Sequence, residues 1–296
     1  MKRRRYDFVE PTEPAMGLEK YATLVTDELH LLLNSGECDE RAFQTLLEDH
    51  PMLVPGVYPS LDTGHNGIWP SAVISQPPLT GLESKVPDFC VISADSGTVY
   101  ATFVEIESPC KRWATGSGGQ TAELTQAIQQ IRDWKIWFKN PLNRARFMEE
   151  YRVPEHFRYA RAFEQRYALV YGRRNEFEAA HFQKRRAEAQ QPDEAFMTWD
   201  RLAPSNHYVS LITVRLSPRG YVALRIPPTT MIGPRDAEEW AVVADKDDAL
   251  DASESLTQVR RDFLKNRWPY WDSWATEESE DEDRGIQVMS AQPYGE

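Results

Sequence analysis

The 296-residue chain contains no apolar run approaching the ~18 residues of a membrane-spanning helix. Its basic start, MKRRR, leads into YDFVEPTEP rather than an apolar signal core, so a cytoplasmic protein with no membrane partner is expected. Cysteine is scarce. Cys38, Cys90 and Cys110 are odd in number and widely spaced, which argues against a disulfide framework or a structural zinc site and predicts reduced thiols. No internal repeat is present. The glycine-rich Gly116–Gly119 loop lacks the lysine of a P-loop, so no nucleoside triphosphatase is expected. Positive charge is also in deficit, with 34 Lys and Arg against 46 Asp and Glu and a formal net charge of -12.

The acidity is unevenly spread. Asp236 to Arg284 carries 16 acidic and 6 basic residues, whereas Arg132 to Arg186 carries 14 basic and 7 acidic ones. The basic block suits a surface facing phosphates, or simply a solvated helical face. Residues from about Asp236 onward read as more tail than domain, with an acidic helix near Ser253–Lys265 and a disordered Glu277–Asp283. The aromatic run RWPYWDSW, at Arg267 to Trp274, has too acidic a setting for base stacking. Trp268, Trp271 and Trp274 are expected to dock on the protein body or on another subunit, and the acidic tail beyond to mask the basic region until DNA displaces it.

A hydrophobic content of 41% is enough for a buried core. Helical spacing predicts helices over Glu19–Leu33 and Asp39–Asp49, the second with Phe43, Leu46 and Leu47 as its buried stripe. His50-Pro51 forces an exit, and a Pro/Gly-rich stretch to about Leu79 reads as a loop or short strands. VPDFCVI and TVYATFVEIE, joined by a turn at Ala94–Gly97, predict a β-hairpin. A long helix begins near Thr121, with Leu124, Ile128, Ile131, Trp134 and Phe138 on one stripe. RYALVYGRR reads as a strand, Asn175–Gln190 as a helix, AFMTWDRL as a strand entering another helix, and YVSLITVRL with YVALRIP as a second hairpin. This order implies an α/β fold with a mixed β-sheet flanked by helices. The organisation expected is an N-terminal helical segment at 1–38, a main domain at 39–235, and an acidic helix and tail at 236–296.

Glu105 and Glu107 alternate on one strand and leave the same face of the sheet, while Asp88 starts the neighbouring hairpin arm. Three converging carboxylates repel, a cost best offset by a hard divalent cation such as Mg²⁺ or Mn²⁺ among them. The plain alternative is a charged hairpin edge facing water. Glu48, on the second helix, is a further acid whose position by a helix end needs no function.

Several blocks carry a resemblance. Pro87-Asp88 followed by Glu105-Ile106-Glu107 resembles the PD…(D/E)XK signature of a nuclease superfamily. LLEDHPML, VPDF, EIESP and LTQAIQQIRDW, in this order and followed by ALVYGRR and MTWDRL, resemble the Shedu family of bacterial anti-phage defence proteins over roughly Asp39 to Leu202. The resemblance implies a PD-(D/E)XK restriction-endonuclease-like core and metal-dependent cleavage of DNA. It makes Asp88, Glu105 and Glu107 metal ligands and catalytic groups, and Gln130 a catalytic residue that places the scissile phosphate. Gln130 and Trp134 resemble a glutamine-x-x-x-tyrosine element on the same helix. Lys111, Gln126, Arg173 and Arg174 are the nucleic-acid contacts expected, and a homo-oligomer, dimer or tetramer, would fit the family. One departure stands out: Glu107 occupies the position of the family's lysine. Glutamate there serves as ligand or base in some enzymes of this fold; Lys111 is either a displaced cation or a surface lysine. The competing reading is a catalytically silent nuclease-fold module that binds nucleic acid or a partner.

Overall fold

The computed structural model describes residues 7–57, 67–81, 86–177, 186–205, 210–234 and 236–276. Its centre is a mixed eight-stranded sheet in the order β5-β4-β3-β2-β1-β6-β7-β8. The strands are β1 (Ile68–Ser75), β2 (Phe89–Ala94), β3 (Thr98–Ile106), β4 (Ala162–Val170), β5 (Glu194–Met197), β6 (Ile212–Ser217), β7 (Gly220–Arg225) and β8 (Val243–Ala244). β2 and β3 pair antiparallel, from Phe89 opposite Val104 to Ala94 opposite Val99. β3, β4 and β5 run parallel, so the carboxyl ends of three strands and the start of β2 meet at one edge.

Alternation along the strands divides the core. Phe89, Val91, Val104, Ile106, Ala168 and Val170 pack with α1 (Leu18–Asn34) and α2 (Glu40–Asp49). Cys90, Ile92, Ala101, Phe103, Tyr167 and Leu169 pack on the other face with α3 (Ala122–Lys139) and α4 (Pro141–Glu150). Thr121 caps α3, its hydroxyl accepting from Leu124 N–H at 3.2 Å, so the helix starts at the residue its sequence marked. α1 and α2 are held together by Tyr21, whose hydroxyl lies 3.1 Å from His50 Nδ1, while His50 Nε2 lies 2.6 Å from Glu28.

Of the two readings of the Pro/Gly-rich stretch the strand one holds: it supplies β1, which lies between β2 and β6 near the middle of the sheet. Pro70 obscured it, and the chain accommodates the proline by breaking register between Trp69 and Ile74. Other expectations need correction. Asn175–Gln190 opens as a 3-10 turn at Arg174–Phe177 and is α-helical over residues 186–189, with residues 178–185 outside the described ones. After β5 comes a single 3-10 turn, Trp199–Arg201, instead of a helix.

Residues past Asp236 are domain rather than tail. α5 (Glu155–Ala160) precedes β4, and α6 (Ala237–Trp240), β8, α7 (Lys246–Ala252) and α8 (Gln258–Thr276) follow β7. β8 extends the sheet beside β7. Trp268, Trp271 and Trp274 dock on the body, as their setting predicts, and are 2%, 1% and 7% exposed. Net charge misled here because Asp247, Asp248, Asp251 and Asp262 of α7 and α8 are exposed while apolar residues of the same helices pack inward. Glu277–Asp283 lies outside the described residues.

The cysteines are the other correction. Cys38 and Cys110 form a disulfide with Cα atoms 5.5 Å apart, and Cys90 alone is free, buried on β2. The topology lays the α1–α2 turn on the loop after β3, a proximity that a separation of 72 residues does not reveal. No described helix is long and apolar enough to cross a membrane.

Candidate active site

The end of β3 is fixed from both sides. Glu107 N–H donates to Val170 O at 2.9 Å, and the Glu107 carbonyl accepts from Trp199 Nε1 at 2.7 Å. Trp199 is itself buried against Phe43 of α2, ring centroids 4.7 Å apart. Asp88 is held by its own hairpin: its N–H donates to Val104 O at 3.0 Å, and its Oδ2 accepts from Ile106 N–H at 2.8 Å. These anchors bring Asp88, Glu105 and Glu107 to one end of the sheet.

A fourth carboxylate joins them from α2. Glu40, in the first turn of that helix, hydrogen-bonds Glu107, and each of the four acids lies in the field of others. Burial pushes the Asp88 carboxyl up to about 7; Glu40 and Glu107 push the same way, against the Ile106 N–H that favours its anion. Burial also raises Glu105 well above the usual carboxylate range, with Asp88 next in effect, and a hydrogen bond joins the two. Glu40 rises to about 7, first through desolvation and then through Glu107, with Lys111 opposing. Glu40 was not singled out from sequence; its only signal is its place beside the capping Asp39. Glu48, the acid noted on that helix, is engaged by Ser75 Oγ and Gln44 instead.

Two neighbours answer the acids. Gln130 of α3 donates from Nε2 to Glu105 Oε2 at 2.9 Å. Lys111 forms an ion pair with Glu107 Oε2 and lies 3.9 Å from Glu40 Oε2. A turn places it there, Lys111 N–H donating to Ser108 O at 3.1 Å. Gly172 makes room for that turn: its φ is +60°, and a Cβ there would stand 2.8 Å from Lys111 O and 3.0 Å from the Trp113 ring.

The remaining candidates are placed differently. Gln126 is exposed one turn before Gln130, and Trp134 is fully buried in the core. Arg173 binds Asp200 at 2.8 Å and donates to Leu33 O at 2.6 Å. The Arg174 main chain also donates to Asp200, and its side chain is exposed. Beside the site a cavity of about 670 Å³ is lined by Glu37, Cys110, Arg112, Arg173 and Glu176 among others. Much of the basic block serves the fold: Arg132 and Lys135 both pair with buried Glu194, and Arg144 and Arg158 donate to main-chain carbonyls. Exposed Lys139, Arg146 and Arg174 are left facing outward.

Four carboxylates form a hard-oxygen donor set, the kind that Mg²⁺ and Mn²⁺ select. Their charge is partly neutralised by the raised carboxyls and by the Lys111 ammonium. Among the described residues, no three Asp, Glu, His or Cys side chains stand in a ready ligand arrangement; Glu105 is turned to Gln130 and Asp88, and Glu107 to Lys111.

Residues 37–203, more than half of the chain, match the family model described as Shedu protein SduA, C-terminal. No curated protein matches the chain.

Proposed function

The chain belongs to the Shedu family, and from that membership and the carboxylate cluster we propose a metal-dependent endonuclease that hydrolyses DNA phosphodiester bonds in defence against phage. The reading takes the β2–β3 hairpin, β4 and α3 as a PD-(D/E)XK core. The observation that carries it is the meeting of Asp88, Glu105, Glu107 and Glu40 at the carboxyl ends of parallel strands, where open α/β sheets place ligands. Asp88, Glu105 and Glu107 would hold Mg²⁺ or Mn²⁺, with Glu40 beside them. The ion would supply Lewis-acid stabilisation of phosphate charge and a more acidic water.

The chain's own residues do the positioning. Ile106 N–H orients Asp88, and Gln130 holds Glu105 through an amide that can also donate to a phosphate oxygen. Glu107, pinned through its main chain, serves as ligand or as acceptor of a water proton. Exposed Arg174, Lys139 and Arg146 offer phosphate contacts whose affinity falls with salt.

Incubating linear and circular DNA with the protein and Mg²⁺ or Mn²⁺ tests this. We expect cleavage that Asp88→Ala lowers by about a hundredfold or more; cleavage unchanged by that substitution would overturn the assignment. One observation favours a silent binding module: Glu107 stands at the family's lysine position. An inert protein that cuts only as Glu107→Lys would establish that second reading.

A further inference from the structure

Lys111 is no ordinary surface lysine in this structure. Its side chain is 35% exposed, and its ammonium reaches Glu107, the residue after β3, and approaches Glu40, on α2. The disulfide holds the Lys111 and Glu40 segments together, since Cys110 precedes Lys111 and Cys38 lies two residues before Glu40. The ammonium is therefore held at the acid that occupies the lysine position of the resembled motif. A divalent ion bound to Glu107 would place two positive charges beside this one. Like charges at that range cannot share a carboxylate without a large penalty, whereas the four-carbon stem of lysine lets the head move away at small cost.

Resting on the nuclease reading, we propose that Lys111 and the divalent cation are alternative occupants of the Glu107–Glu40 side of the cluster. The ammonium is the counter-ion before the metal arrives. Loading releases it toward the substrate phosphate, where it supplies the positive charge that position 107 lacks. Lys111 thereby links metal loading to DNA engagement.

Three readouts on the full chain test this. In EDTA, Lys111→Met should lower Tm by about 2–4 °C, a loss that largely vanishes in a Glu107→Gln background; additive effects would overturn the ion pair. Titrated with Mn²⁺ and followed by electron paramagnetic resonance, Lys111→Met should bind the ion roughly tenfold more tightly, because a competing charge is gone. Unchanged or weaker affinity would overturn the competition. In fluorescence anisotropy with a labelled duplex, Lys111→Met should weaken binding several-fold in Ca²⁺ and leave it unchanged in EDTA, with Lys111→Arg restoring most of the loss. An equal loss in both buffers would mark a surface cation and overturn the release step. Failure of the unsubstituted protein to bind Mn²⁺ would instead remove the metal-dependent reading itself, alternative occupancy included.

Discussion

At the scale of single residues, the carboxyls make the cation-free protein sensitive to pH. Asp88 and Glu40 rise to about 7, and Glu105 rises as well. A carboxyl raised in the folded chain binds its proton more tightly there than when unfolded, so its contribution to stability is complete below ~pH 4 and is lost as pH climbs through its folded value. In EDTA, Tm should therefore fall between pH 5 and pH 8. Asp88→Asn should flatten that fall, and saturating Mg²⁺ should reverse it. Scanning calorimetry across this range checks the prediction, and a Tm that rises toward pH 8 in EDTA would contradict it. Gly172 is a second single-residue test. Alanine there must adopt φ +60° and press on Lys111 O and Trp113. We expect Gly172→Ala to cost ~1–2 kcal/mol from the backbone alone, with tighter Mn²⁺ binding if the Lys111 turn is displaced and its ammonium leaves Glu107; denaturant unfolding and the Mn²⁺ titration separate the two effects.

At the scale of elements, the site depends on α2 being held against the loop after β3. Three links do this: the Cys38–Cys110 bond, Ser108 Oγ donating to Cys38 O at 2.8 Å, and Trp199 packed on Phe43 while bonded to Glu107. By the chain-entropy argument, a cross-link spanning 72 residues stabilises by about 4 kcal/mol. A paired Cys38→Ser and Cys110→Ser variant should melt several degrees lower and be insensitive to reductant, whereas the parent should lose the same increment when reduced. The elements themselves were largely legible. α1, α2, α3 and the β2–β3 and β6–β7 hairpins follow from local spacing, because helix and strand periodicity are properties of neighbouring residues. β1 was obscured because Trp69-Pro70-Ser71 breaks its pattern, although its residues 72–75 are fully buried.

At the scale of the whole molecule, the C-terminal segment closes the core that Trp240 and Trp268 share, ring centroids 5.3 Å apart. Deleting residues after Asp272 removes Trp274, which is 7% exposed, and should lower Tm. Deleting from Glu277 should raise DNA affinity at low salt, because it removes an acidic stretch. Binding measured at two salt concentrations decides this, and an unchanged affinity would remove the self-masking role of the tail.

The sequence by itself determined the α/β class, most of the elements, the family, and the acids Asp88, Glu105 and Glu107, since each depends on order and spacing along the chain. Only the tertiary structure decided that Glu40 completes the cluster, that Lys111 faces Glu107, that Cys38 meets Cys110, and that the acidic C-terminal region belongs to the core. The division has one physical cause. Local spacing fixes which face a side chain leaves from, whereas the partners of Glu40, Cys38 and Trp268 come from residues 67, 72 and 28 positions away and are brought near only when the sheet assembles.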